Sequence, residues 1–310
     1  MHMILMLVIA AGGYDAFPHL SFGVGARELA MGGAGTASCN SAAACFWNPA
    51  ALARLGTGSV TAFLNPSPLG SQLRTDGDGD GFIAWGMPLS GDVSIGAAAD
   101  RLSLGGIACR QTETWSCDTA AYYETMGTLC TGVRLFGPLN VGGGLVFYSR
   151  ALGDKSADTP VSDFGLGVAL GLECELPSHY RIGVSARSGT QGLANGDRLA
   201  PRVAVGFSGE PMPRLLVSVD VSQRMWRAYI AGFGAEYWLV PVSFRDGVSI
   251  AARAGVKDIP FGQFTPPTAV TAGLGFGFKS AQFRVGLDYA IVHQWSFGGM
   301  HHLLSLTVGY

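Results

Sequence analysis

From about residue 57 onward, bulky apolar residues alternate with small or polar ones at a period of two. In Ala281–His293, Ala281, Phe283, Val285, Leu287, Tyr289 and Ile291 fall on one face, and Gln282, Arg284, Gly286, Asp288 and Ala290 on the other. In Ser162–Cys174, Phe164, Leu166, Val168, Leu170 and Leu172 alternate with Gly165, Gly167, Ala169, Gly171 and Glu173. Leu215–Ser222, Val248–Lys257 and Thr268–Phe278 repeat the pattern. A period of two marks a strand with two unlike faces. These runs last about 9–13 residues, where soluble strands average about 5–6. A tilted strand needs about 9–11 residues to cross a bilayer. The alternation predicts about 14 strands, near 57–66, 81–89, 92–104, 120–136, 139–150, 162–175, 179–188, 200–209, 213–223, 228–239, 247–257, 268–278, 281–293 and 301–310.

The gaps between these strands alternate in length. Gly137–Leu139, Pro177–Ser178, Glu210–Met212 and Lys279–Ser280 are short; Asn65–Asp80, Gly105–Asp118, Ala151–Val161, Gly189–Leu199 and Asp258–Pro267 are longer. Short turns at one end, long loops at the other and an even strand number characterise bacterial barrels. The predicted fold class is all-β: an antiparallel transmembrane β-barrel of about 14 strands over residues 57–310. It places the chain in the outer membrane, with lipid as its outer contact.

Composition sharpens this picture. Of 310 residues 46 are glycine, about 15% against a usual share of roughly 7%. Charged residues are 14%, against about 25% in typical soluble domains. A soluble sandwich would need more charge on its outside. The net charge of −2 supplies no basic field for nucleic acid. No apolar run reaches the ~18–20 residues of a spanning helix. The glycines fall mainly on the face opposite the lipid.

Ile4–Ala11 is a compact apolar run followed by small residues, the core and end of a secretory signal peptide, so residues 1–16 are expected to be a leader. No Lys or Arg precedes Arg27, and a short buried element is the competing reading. Cys109 and Cys117 flank a polar loop, a spacing suited to a disulfide in an oxidising compartment; Cys39 and Cys45 could pair in the same way. Cys130 and Cys174 have no local partner, and buried free thiols are the alternative for all.

Residues 17–56 lack the alternation. Small residues crowd Gly23–Ala44, followed by Phe46, Trp47, Asn48, Pro49, Ala50, Ala51 and Leu52. Asn48 before Pro49 favours an extended conformation, and Pro49 can open a helical turn over Ala50–Arg54. Gly32, Gly33, Ala34 and Gly35 would let this backbone pass close to a glycine-rich wall; a surface loop before the first strand is the alternative. The strings GARELAMGGAGTA (Gly25–Ala37) and WNPAAL (Trp47–Leu52) resemble the amino-terminal signature of the FadL and PorV/PorQ-type outer-membrane proteins. That resemblance implies that residues 17–56 form a hatch inside the barrel, with Gly32, Gly33, Trp47, Asn48 and Pro49 as its motif. The final strand, with Leu304, Leu306, Val308 and Tyr310 on one face, resembles the assembly signal of bacterial barrels, which implies that Tyr310 is read by barrel-assembly machinery.

Arg134, Glu173, Arg181, Arg202, Asp220, Arg253, Arg284 and Asp288 are expected to face the lumen. Mixed signs fit ion pairs that brace strands or hold the hatch through Arg27 or Glu28, since buried charges are normally paired; a polar conduit is the other reading. Trp226, Phe261, Phe264 and Trp295 lie in outer loops, either as a capture site for a hydrophobic ligand or as an aromatic belt. Asp76, Asp78 and Asp80 make only the front half of a calcium loop, so no metal and no cofactor are expected. No nucleotide or hydrolase motif occurs. The resemblance implies passage of small, fatty-acid-like hydrophobic compounds. Its PorV side implies instead a non-transport subunit among secretion-machinery proteins of type IX secretion; a purely structural barrel comes third and an enzyme last.

Overall fold

A computed structural model of the chain describes residues 20, 22–66, 79–108, 119–154, 161–189, 201–224, 228–240, 247–260, 269–294 and 299–310. Residues 1–16, Asp76, Asp78, Cys109, Cys117, Trp226, Phe261, Phe264 and Trp295 lie outside the described residues.

Fourteen strands form one closed antiparallel barrel: β1 (Ser59–Asn65), β2 (Gly79–Pro88), β3 (Val93–Ala108), β4 (Thr119–Phe136), β5 (Leu139–Asp154), β6 (Val161–Leu176), β7 (Tyr180–Gly189), β8 (Arg202–Met212), β9 (Leu215–Arg224), β10 (Ala228–Val240), β11 (Gly247–Pro260), β12 (Ala269–Lys279), β13 (Arg284–Gln294) and β14 (Gly299–Gly309). Each strand pairs with its chain neighbours, and β1 closes on β14 from Ser59↔Gly309 to Leu64↔Leu304. Closure leaves no sheet edge unpaired, which is what lets a sheet survive in lipid.

Alternation decides which face meets which medium. On β6, Leu166, Val168, Leu170 and Leu172 are 46–58% exposed, whereas Ala169 and Glu173 are 3% and 1% exposed. Phe276, Phe278, Leu304 and Leu306 continue the exposed apolar face around the wall. A closed barrel wearing its large aliphatic side chains outside and its charges inside is a transmembrane barrel of the bacterial outer membrane.

At the end where β1 begins and β14 finishes, the connections are tight. Gly137 makes the β4–β5 turn with φ +53°, and Arg214 the β8–β9 turn with φ +71°. A 3-10 turn, Pro177–His179, joins β6 to β7. Two boundaries differ from the sequence pattern. β13 starts at Arg284 rather than at residue 281, because Ser280 N–H donates to Phe283 O at 2.8 Å and closes a turn there. β8 runs on to Met212 through a register shift after Gly209, which lets it outlast its alternation.

The lipid-facing wall makes a direct prediction. Leu170→Arg places a charge near the middle of a lipid-facing strand and should cost about 2–4 kcal/mol. Unfolding equilibria in phospholipid vesicles measure this; an unchanged midpoint would mean that this face does not meet lipid.

Candidate functional site

Residues 22–56 are wound into the lumen. Two short helices carry them, α1 (Ala26–Ala30) and α2 (Ala44–Trp47), followed by a 3-10 helix, Pro49–Arg54. Neither helix is long enough to be stable alone, so the wall must hold them. α1 packs on β11–β14, α2 on β3 and β4, and the 3-10 helix on β2–β6. Between the helices the chain crosses β7–β10, so the segment meets the wall around nearly its whole circumference.

Glycine makes this possible. A Cβ on Gly132 would stand 2.7 Å from Ala53 N, and one on Gly183 would stand 2.6 Å from Thr36 O. Gly142 and Gly171 would collide with Pro49 and Ala50, Gly206 with Thr36, and Gly234 and Gly255 with Met31. These wall positions face the lumen, and each carries segment backbone where a side chain would otherwise be. Gly32 answers from the other side. Its φ of +70° is left-handed, and a Cβ there would run into Phe233 and Val256 backbone. At that point the β10–β11 ladder itself shifts register, between Ala231 and Phe233. Gly33, also left-handed, lies against the Lys257 side chain.

Polar contacts then fix the path. Ala26 N–H donates to Ser305 Oγ at 2.7 Å, and Thr36 N–H to Asp220 Oδ2 at 2.8 Å. Ser218 Oγ donates to Ala34 O, and Ser208 Oγ to Ala37 O, both at 2.9 Å. Asn48 does three things at once. Its Nδ2 donates to Thr36 O at 3.0 Å and to Leu172 O at 3.1 Å, while Oδ1 accepts from Ala50 N–H at 3.1 Å and caps the 3-10 helix. Its extended backbone and Pro49 at the first helical position match the expected turn. Trp47 donates through Nε1 to Val24 O at 3.0 Å, so it ties the two halves of the segment together.

Two buried ionic clusters anchor the segment. Arg27 makes a fork to Glu236, Nε–Oε2 2.9 Å and Nη2–Oε1 3.0 Å. Arg253 shares Glu236 Oε2 at 2.7 Å and reaches Asp288 Oδ1 at 2.7 Å. Paired forks of this kind satisfy most of the buried hydrogen-bonding capacity, without which buried charges are costly. Arg54 binds Glu173 at 2.6 Å and donates to Cys39 O. Burial works against the Arg27 charge, but the Glu236 carboxylate outweighs it and raises the guanidinium pKa. Burial pushes the Glu28 carboxyl upward, and pushes the Cys39 thiol up to about 12. Arg187 donates to Phe46 O and lies 4.4 Å over its ring; Arg202 lies 5.3 Å over Trp47.

The residues singled out from sequence thus fall as follows. Glu173, Arg181, Arg202, Asp220, Arg253 and Asp288 all project into the lumen, and each touches the segment or a residue of the clusters that hold it. Arg181 donates from Nε to Ala37 O at 3.1 Å. Arg134 is exposed near the rim and reaches Ala53 O at 3.5 Å. Arg284 is exposed on the first rung of β13. Tyr310 closes the outer face, its hydroxyl accepting from Trp85 Nε1 at 2.9 Å and its N–H donating to Gly58 O at 2.9 Å. Asp80 is buried on β2. Among the described residues, no group of three or more His, Cys, Asp or Glu is placed to hold a metal. Sequence reasoning missed Glu236, Arg187 and Arg54. Glu236 falls on the inner face of β10 with Gly232 and Gly234, while Phe233 and Tyr237 point outward, so the period of two was the signal that could have found it.

The strand count, closure, lipid-facing exterior and filled lumen define an outer-membrane barrel of the FadL type of fold. No family model matches the sequence, and no curated protein matches it. Among solved structures, the Pseudomonas putida toluene transporter TodX is similar at a TM-score of 0.63 and 15% identity, covering 96% of this chain and 98% of that one. A TodX variant described as a monoaromatic hydrocarbon channel gives 0.62 at 14% identity, over 92% and 98%. A Pseudomonas aeruginosa FadL homologue gives 0.56 at 11% identity, over 89% and 95%. These likenesses establish the shared fold.

The Asn48 geometry supplies a test. Asn48→Asp replaces two donors by a carboxylate facing the carbonyls of Thr36 and Leu172 and should cost about 3 kcal/mol. Limited proteolysis within residues 22–56 and thermal unfolding report it; wild-type resistance would show that these bonds do not hold the segment.

Proposed function

We propose that the protein lets small hydrophobic compounds of fatty-acid-like character cross the outer membrane, with residues 17–56 acting as its hatch. The observation that carries this reading is a fold shared, over nearly the whole chain, with a protein described as a toluene transporter. The filled lumen supports it, because a barrel of this width needs a stopper if it is not to leak. Passage is a rearrangement, with no bond made or broken, and we assign the protein no catalytic residue.

In this reading residues 1–16 are a leader removed on export and residues 57–310 are the barrel. Trp226, Phe261, Phe264 and Trp295 capture the compound at the outer loops, and Tyr310 serves assembly. The segment is built for movement over its first half. Gly23, Gly25, Gly32 and Gly33 adopt left-handed conformations there, and contacts to glycine walls have little side-chain interlock to undo. The β10–β11 ladder shifts register beside Gly32, between Ala231 and Phe233, and there we place an exit through the wall.

Uptake of labelled oleate and of toluene by a Gram-negative strain lacking its own channels for them tests the proposal. Expression of this chain should raise uptake of at least one severalfold over empty vector, and Glu236→Gln should change that rate. Uptake at the vector level, with the protein present in the outer membrane and recovered with secretion proteins, would favour the PorV-like subunit instead.

A further inference from the structure

Two thiols far apart in sequence meet where the segment enters the wall. Cys45 lies in α2 and is fully buried; Cys130 lies on the inner face of β4 and is 7% exposed. Gly96 and Cys130 are cross-strand partners on β3 and β4, a relation that sets Cβ positions about 4.5–5.5 Å apart. Cys45 Sγ occupies the space Gly96 leaves open, 2.5 Å from where its Cβ would be. Cys130 Sγ turns to the same place and lies 3.6 Å from Gly96 O. The other described thiols are placed differently: Cys39 Sγ faces Ser41 Oγ at 4.0 Å, and Cys174 is half-buried near the end of β6.

We propose that Cys45 and Cys130 form a disulfide that staples the amino-terminal segment to the barrel wall. The compartment that receives outer-membrane barrels is oxidising. The oxidant is a disulfide, carried by a periplasmic thiol oxidoreductase or a small molecule. The Cys45 thiolate attacks it, forming a mixed disulfide and releasing one thiolate. The Cys130 thiolate then attacks the Cys45 sulfur and expels the second. Two thiols lose two protons and two electrons, and one disulfide is reduced to two thiols. The exchange takes place during assembly, before α2 seals against β3 and β4, because the docked thiols are closed to a macromolecular partner.

The staple divides the segment. α2 and the 3-10 helix become part of the wall, and any opening is confined to the glycine-rich half before Thr36. This holds whether or not the barrel transports, since it rests on the thiols alone.

The full chain, purified from outer membranes with alkylating reagent present from lysis onward, tests it by tryptic mapping. Cys45 falls in peptide 28–54 and Cys130 in peptide 111–134. The expected result is a linked pair of these peptides without reductant, separated by reductant, lost in Cys45→Ser and in Cys130→Ser, and retained in Cys39→Ser. Alkylated Cys45 and Cys130 in the unreduced wild type, together with no link after refolding in oxidised glutathione, would overturn the proposal. Each peptide also holds a second cysteine, Cys39 and Cys117, so fragment ions that place the link between Cys45 and Cys130 in the wild type decide the outcome even where a variant fails to fold.

Discussion

Backbone lying directly on backbone is the constraint on which this structure depends. A barrel of 14 strands has more interior than its own wall side chains fill here, and a segment of some 35 residues fills it. Leu29, Phe46, Trp47 and Leu52 of the segment join Phe63, Phe82, Met126 and Tyr148 of the wall in one buried apolar cluster. The wall is pared to glycine where the segment runs, and the segment is pared to glycine where the wall bends inward at Gly32. Close approach then brings Ser208, Ser218, Asp220 and Ser305 within hydrogen-bonding distance of main-chain groups. Glycine abundance has this geometric origin, and scarcity of charge follows from an outer face that meets lipid instead of water.

Charge is used sparingly and in the same service. Glu236 is shared between a segment arginine and a wall arginine, so removing any one of Arg27, Glu236 or Arg253 leaves a buried charge without its complement. Arg54 and Glu173 do the same at the other end. The conduit reading of the lumenal charges fares less well than the bracing one in these contacts, since most of these groups spend their hydrogen-bonding capacity on each other or on the segment.

Much of this was legible in the alternation. All fourteen strands follow from period two, because lipid outside and a packed lumen inside force each residue to declare a face. Glu173, Asp220, Arg253 and Asp288 could be assigned inward for that reason. Glu236 could have been assigned in the same way, since Gly232, Gly234 and Glu236 alternate with Phe233, Ala235 and Tyr237 along β10. Asn48 and Pro49 were legible as a turn, yet the reach of Asn48 to Leu172 depends on the closed fold. The meeting of Cys45 with Cys130 was equally hidden, since 85 residues separate them and only the pairing of β3 with β4 sets them over Gly96. The helices escaped because they are shorter than any periodicity can reveal.

Amide hydrogen exchange of the full chain in lipid nanodiscs tests the lumenal packing most directly. Thr36 and Ala50 owe their N–H protection to Asp220 and Asn48, and Gly32 shares its N–H between Leu29 O and Thr271 Oγ1. The account requires these amides to exchange at least ~10³-fold more slowly than in an unfolded chain, at rates approaching those of the wall strands. In Gly142→Val, whose new side chain would occupy the place of Pro49 and Ala50, protection should fall at Ala50 and persist in β12 and β13. Exchange of residues 22–56 at the rate of free peptide in the wild type, with the wall strands fully protected, would contradict it.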